Sequence, residues 1–174
     1  MSTQLILDII AHDTAETEAT GEYFADLLTG ATPAETRPHP KKQVPGAVFL
    51  AMYGDLGAGK TTFIRGMAHK LTPEAEVSSP TYALVHEYHN VQTGVVLYHF
   101  DMYRITDEDD LYSIGFYDYF DQNDRRFPFR ILAAEWSENI PYALPEQYYR
   151  IQIEKLPDGR HIKIFSVADY TENQ

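Results

Sequence analysis

The chain contains no cysteine, which excludes disulfides, thiolate metal sites and cysteine nucleophiles. Basic residues are scarce too, with 14 Lys+Arg against 26 Asp+Glu and a formal net charge of −12. A surface field of that sign repels nucleic-acid phosphates, so tight autonomous binding of DNA or RNA is not expected. A protein partner with a basic face suits such a surface better, although acidity also serves solubility alone. No apolar run approaches the length of a membrane span, and the first residues show no basic leader followed by a signal-like apolar core. The expectation is a cytoplasmic protein with no membrane association. Internal repeats and low-complexity tracts are missing, as is any G-x-S-x-G elbow for acyl transfer. No two histidines have the i, i+4 spacing of a helical metal pair with an acid between them, so the histidines add little to this reading.

What is present begins with length. The 174 residues, 44% of them hydrophobic and 23% charged, suit one domain around a single substantial core. Within it, Gly54, Asp55, Leu56, Gly57, Ala58, Gly59, Lys60, Thr61 and Thr62 form a complete G-x-x-x-x-G-K-T phosphate loop. Residues 48–53 before it are apolar and free of Pro and Gly, as a buried parallel strand should be. Lys60 to Leu71 after it reads as a helix whose Phe63, Ile64, Met67, Ala68 and Leu71 share one face. Strand, loop and helix are the context that the motif needs. Glycines let successive backbone N–H groups converge on phosphate oxygens at the positive end of a helix. Lys60 adds a mobile charge for the β- and γ-phosphates, and the Thr61 hydroxyl is placed for Mg2+.

Elsewhere the pattern is mixed. Leu5 to Ile10 reads as a first strand, and Asp13 with Glu16 forms a capping box for a helix that buries Ala19, Tyr23, Phe24, Leu27 and Leu28 and ends at Gly30. Residues 31–46 carry four prolines and read as a surface connection. Residues 82–88 and 95–100 form a hairpin around 90–94. Thr106 caps a short helix ending near Gly115, and residues 117–121 make a further helical turn. Phe129 to Ala134 is a second buried strand, and residues 150–156 and 161–167 alternate about Pro157-Asp158-Gly159 as a terminal hairpin. The fold class expected is a single-domain α/β P-loop NTPase spanning 1–174, with a mixed central sheet, few short helices and a C-terminal antiparallel hairpin.

Three further groups bear on chemistry. Asp101 ends an apolar stretch, like the acid of a Walker B strand, and is read either as that acid or as an ordinary strand-end carboxylate. Glu135 and Trp136 come after another apolar strand and either face the phosphate-loop crevice or are a solvated charge beside a core aromatic. Ser78-Ser79-Pro80-Thr81-Tyr82 is either a turn or a γ-phosphate-sensing segment.

Taken in order, Tyr53 to Thr62, Ser79-Pro80-Thr81-Tyr82, His99-Phe100-Asp101-Met102-Tyr103-Arg104, Gly115, Tyr119-Phe120 and Glu135-Trp136 resemble the TsaE (YjeE) family of bacterial ATPases, over nearly the whole chain. The resemblance implies a subunit that supports synthesis of N6-threonylcarbamoyladenosine at position 37 of tRNA by binding TsaB-like and TsaD-like proteins and hydrolysing ATP to ADP. It also implies that tRNA is met only indirectly, through those partners. Carried onto this sequence, Lys60 holds phosphates, Thr61 and Glu135 coordinate Mg2+, Asp101 is the acid needed for hydrolysis, Trp136 lies near the nucleotide, and residues 79–81 are switch-like. The connection at 31–46 is longer than usual for that family, and 121–127 reads as a small insertion.

Two other readings use the same loop. One is a small-molecule kinase, although such kinases bring a lid with several arginines and here Arg125, Arg126 and Arg130 are the only cluster. The other is a nucleotide-dependent binding module with negligible turnover. Apart from Arg104, no internal arginine finger is evident, so a slow ATPase that waits for its partners is expected.

Overall fold

The computed structural model describes residues 1–30, 46–74, 84–121 and 124–168. The expected connection at 31–46, apart from Gly46, and the Ser78 to Tyr82 segment lie outside the described residues. The strands are β1 (Ser2–Ala11), β2 (Ala47–Tyr53), β3 (Val85–Asn90), β4 (Val95–Asp101), β5 (Phe129–Glu135), β6 (Gln147–Leu156) and β7 (Gly159–Ala168). The helices are α1 (Thr14–Thr29), α2 (Lys60–Leu71), α3 (Glu108–Ser113) and α4 (Asp118–Asp121). All seven strands join one sheet in the order β1-β7-β6-β2-β5-β4-β3. The sheet is mixed: β2 is parallel to β5 and β6, and β4 is parallel to β5, while β1–β7, β6–β7 and β3–β4 are antiparallel.

The central strands β2, β4 and β5 are buried nearly throughout because both faces are covered. Leu50, Met52, Leu97, Ile131 and Ala133 project to one face and pack with Phe24, Phe63, Ile64 and Met67 of α1 and α2. The alternate residues Phe49, Ala51, Tyr98, Phe100, Leu132 and Ala134 project to the other face and pack with Leu111 and Phe116. The predicted apolar face of α2 is the buried one, Phe63, Ile64, Met67, Ala68 and Leu71.

The predicted face of α1 is so only in part, at Phe24 and Leu27. Its buried residues are Thr17, Thr20, Gly21, Phe24, Ala25 and Leu27, whereas Ala19 and Tyr23 face solvent and Leu28 is half-buried. Counting apolar residues misplaces the stripe because α1 meets α2 at very close range, where small residues are needed. A Cβ on Gly21 would lie 2.1 Å from the Phe63 carbonyl oxygen, and one on Gly66 would lie 1.9 Å from that of Glu18. The buried hydroxyls of Thr17 and Thr20 are satisfied within the helix, donating to the Asp13 and Glu16 carbonyls at 2.9 and 2.8 Å. Asp13 caps α1 as expected, accepting from the Glu16 N–H at 2.8 Å, and Gly30 closes it in the left-handed region.

Element boundaries also differ, among them the starts of β6 at Gln147 and β7 at Gly159 instead of 150 and 161. β1 runs from Ser2 to Ala11, longer than 5–10, because pairing with β7 extends it past its apolar centre. β3 starts at Val85, since Leu84 takes φ 61° and leaves the extended region. The N-cap of α3 is Asp107, whose carboxylate accepts from the Asp110 N–H at 3.0 Å, while Thr106 donates back to Asp110 from its N–H and its hydroxyl.

Candidate functional site

The carboxyl ends of β2, β5 and β4 are neighbours, so the segments leaving these strands meet at one edge of the sheet. β2 leads into the phosphate loop. There the Ala58 N–H donates to the Asp55 carbonyl at 3.0 Å, and the Phe63 N–H donates to the Gly59 carbonyl at 2.9 Å. Gly59 caps α2 with φ 116°, a conformation closed to residues with a Cβ, and the first N–H groups and dipole of a 12-residue helix open onto the cleft.

Lys60 is buried, and its Nζ donates to the carbonyls of Gly54 and Asp55 while lying 4.0 Å from the centroid of the Trp136 ring. Burial pulls the Lys60 ammonium below its ordinary pKa, opposed by the carboxylates of Glu135, Glu138, Asp101 and Asp55.

Glu135 ends β5 in register with Met52 of β2 and Asp101 of β4. One oxygen, Oε1, accepts from the Thr61 hydroxyl at 2.7 Å and lies 2.7 Å from Nε2 of His99. An ionised carboxylate only accepts, which makes His99 Nε2 the protonated nitrogen of that pair. Burial by itself would push Glu135 up, yet the His99 hydrogen bond and charge, the Thr61 hydroxyl and the Lys60 charge hold it below the usual carboxylate value. Asp101, also buried, accepts from the Tyr103 N–H at 3.0 Å. Trp136 takes φ 61° and ψ 42°, a left-handed conformation that costs a residue with a Cβ about 1–3 kcal/mol. The turn there sets its ring 5.0 Å from that of Tyr103, tilted by 57°.

These groups surround a cleft of about 330 Å³ lined by Leu56 to Thr62, Asp101, Tyr103, Glu135, Trp136 and Arg160. Of the predicted site residues, only Gly54 and Asp55 are not on its wall, and their carbonyls instead hold Lys60. Sequence reasoning gave no role to two residues of the site, His99, named only within its motif, and Arg160. His99 reaches Glu135 across adjacent strands, and Arg160 of β7 donates from Nε to the Ala58 carbonyl at 2.5 Å. Alternation along β4 could have flagged His99, which shares a face with Asp101. Nothing local marks Arg160, because the pairing of β6 with β2 is what carries the hairpin to the loop. Arg104, the one internal candidate for an arginine finger, is not on the cleft wall.

The donors that could hold a cation are oxygens, the Thr61 hydroxyl with the Glu135 and Asp101 carboxylates. This set fits a hard ion such as Mg2+, which keeps several waters and takes phosphate oxygens rather than an all-protein cage. Among the described residues no group of three or more His, Asp or Glu side chains could enclose a metal ion.

A phosphate loop between a buried central strand and the first helix after it, with acids at the ends of neighbouring parallel strands, defines the P-loop NTPase fold. The fold is shared with the crystal structure of Bacillus subtilis YdiB, at TM-score 0.65 and 25% identity over 97% of this chain and 89% of that one. The family profile described as threonylcarbamoyl adenosine biosynthesis protein TsaE matches residues 11–162. The chain is 36% identical to the tRNA threonylcarbamoyladenosine biosynthesis protein TsaE of Haemophilus influenzae over 153 residues, 88% of this chain and 85% of that protein. It is 38% identical to the TsaE protein of Bacillus subtilis over 130 residues, 74% of this chain and 75% of that protein. The chain belongs to the TsaE family, whose place is in tRNA threonylcarbamoyladenosine biosynthesis.

Proposed function

We propose that this chain is a Mg2+-dependent ATPase that supports tRNA N6-threonylcarbamoyladenosine formation by binding TsaB-like and TsaD-like proteins, meeting tRNA only through them. The observation that carries the reading is the convergence of Lys60, Thr61, Asp101, Glu135 and Trp136 on one cleft at the start of α2. Loop N–H groups and the helix dipole bind the β- and γ-phosphates, and Lys60 leaves the Gly54 and Asp55 carbonyls to add its charge. Thr61 and Glu135 would hold the cation, with His99 orienting the Glu135 carboxylate, and the chemistry supplied there would be neutralisation of charge on the phosphates. Asp101 orients the attacking water, and Trp136 shields one wall. A cytoplasmic location goes with this role, and no helix among the described residues is long and apolar enough to cross a membrane.

The kinase reading loses its lid. Arg126 is paired with Asp124 at 2.7 Å and Arg130 donates to the Phe120 carbonyl at 3.2 Å, and neither these nor Arg125 lines the cleft. The test is steady-state phosphate release by wild type and Asp101→Asn, each alone and with a TsaB–TsaD complex. Slow release by wild type alone, stimulation by the complex, and loss of stimulated turnover with retained nucleotide binding in Asp101→Asn are expected. Rapid partner-independent hydrolysis would overturn the partner requirement.

A further inference from the structure

Arg160 stands 102 positions from Ala58 in the chain, yet its Nε donates to the Ala58 carbonyl at 2.5 Å. Its backbone is held on both sides, in register with Lys155 of β6 and with Ala11 of β1. A side chain leaving a strand paired on both edges starts from a rigid base. The contact is close as well. A Cβ on Gly59 would lie 2.8 Å from Arg160 Nε and 2.9 Å from its Cδ, so the arginine lies flush against the loop and leaves room only for glycine there. In a chain with only 14 Lys+Arg, placing one of them on this carbonyl puts a cation at the phosphate loop.

We infer that Arg160 is the positioning residue of the phosphate loop, fixing the Ala58–Gly59 peptide so that the Gly59 N–H is presented to a bound phosphate. The C=O and N–H of a trans peptide point in opposite directions. Anchoring the Ala58 oxygen toward β7 therefore turns the Gly59 N–H to the other side of the peptide. The Ala58 N–H is already tied to Asp55 and the Gly59 carbonyl to Phe63, so the peptide between them is flanked by fixed groups, and Arg160 fixes that peptide's own carbonyl as well. Setting the donor before the ligand arrives spares the cost of ordering it on binding. The hairpin, which carries no other residue on the cleft wall, thereby becomes part of the site.

This rests on the reading of the cleft as an ATP site, and the experiment separates the two. Mg-ATP and Mg-ADP are titrated calorimetrically into the full chain as wild type, Arg160→Ala and Arg160→Lys, and each protein is melted without nucleotide. Losing a charge-assisted hydrogen bond that sets a phosphate donor should weaken both nucleotides by about tenfold or more in Arg160→Ala. Arg160→Lys should be just as weak, since an ammonium keeps the charge but not the guanidinium geometry. Hydrogen exchange in peptides covering 54–60 should rise in both variants while the rest of the sheet stays protected. Wild-type affinity in Arg160→Ala, or in Arg160→Lys, overturns the inference, the second by showing that charge alone suffices. A lowered melting temperature with unchanged nucleotide affinity also overturns it, as a contact that only stabilises the fold. Should Arg160→Ala not fold, Arg160→Lys carries the same comparison. A wild type that binds neither nucleotide counts against the ATP site, not against Arg160.

Discussion

The Thr61 hydroxyl donates to Oε1 of Glu135 at 2.7 Å, joining the first turn of α2 to the end of β5 across 74 positions of the chain. The same oxygen is met by His99 from β4, so one carboxylate ties three elements together in a buried site. Removing that carboxylate strips two polar partners at once. Glu135→Ala should therefore destabilise the nucleotide-free protein by about 1–3 kcal/mol and abolish hydrolysis. Glu135→Gln, which keeps an acceptor oxygen, should lose hydrolysis with a much smaller change in melting. Phosphate release and thermal melting of the two variants check this, and an active Glu135→Gln would remove Glu135 from the chemistry.

Acid stability depends on the same group. Glu135 is held below the ordinary glutamate value of 4.5, so in the window under that value the unfolded chain takes up its proton while the folded one resists. Its contribution is fully present above the ordinary value and is lost as pH falls through the lower folded value. Urea unfolding of metal-free protein along a descending pH series should show a shallower acid decline in Glu135→Gln than in wild type, and parallel curves would count against the assignment.

Lys60 and Trp136 are 4.0 Å apart, and Trp136 is the only tryptophan in the chain. Drawing Lys60 onto phosphate oxygens changes the charge over the indole, so tryptophan emission should shift with Mg-ATP. Lys60→Ala should weaken ATP by about tenfold or more, because charge-assisted phosphate contacts are worth roughly 1.5–3 kcal/mol. Fluorescence titration reads both, and equal affinities in wild type and Lys60→Ala would sink the role given to this lysine.

Alanine normally stabilises a helix over glycine by about 0.5–1 kcal/mol. At Gly21 and Gly66 the sign should reverse, since the added Cβ would lie 2.1 Å and 1.9 Å from backbone oxygens of the neighbouring helix. Backbone cannot yield as a side-chain tip can, so Gly21→Ala and Gly66→Ala should each cost more than about 2 kcal/mol. Chemical unfolding measures it, and a stabilised variant would mean the two helices can move apart freely.

Local sequence determined the phosphate loop, the strand before it and the helix after it, because turn chemistry and the periodicities of 2 and 3.6 act over a few residues. The capping of α1 by Asp13, the hairpin about residues 90–94 and the alternating terminal hairpin were legible for the same reason. Asp101 and Glu135 could be named as candidates at strand ends, but only the parallel pairing of β4 with β5 puts the two in register side by side. Only tertiary structure decided the buried face of α1, where close approach of two backbones selects threonine and glycine over the apolar residues a pattern favours. It alone also brought His99 beneath Glu135 and Arg160 onto Ala58, contacts separated by 36 and 102 positions. Those meetings depend on which strands pair and in what direction, and that is settled by the packing of the whole sheet rather than by residues adjacent in the chain.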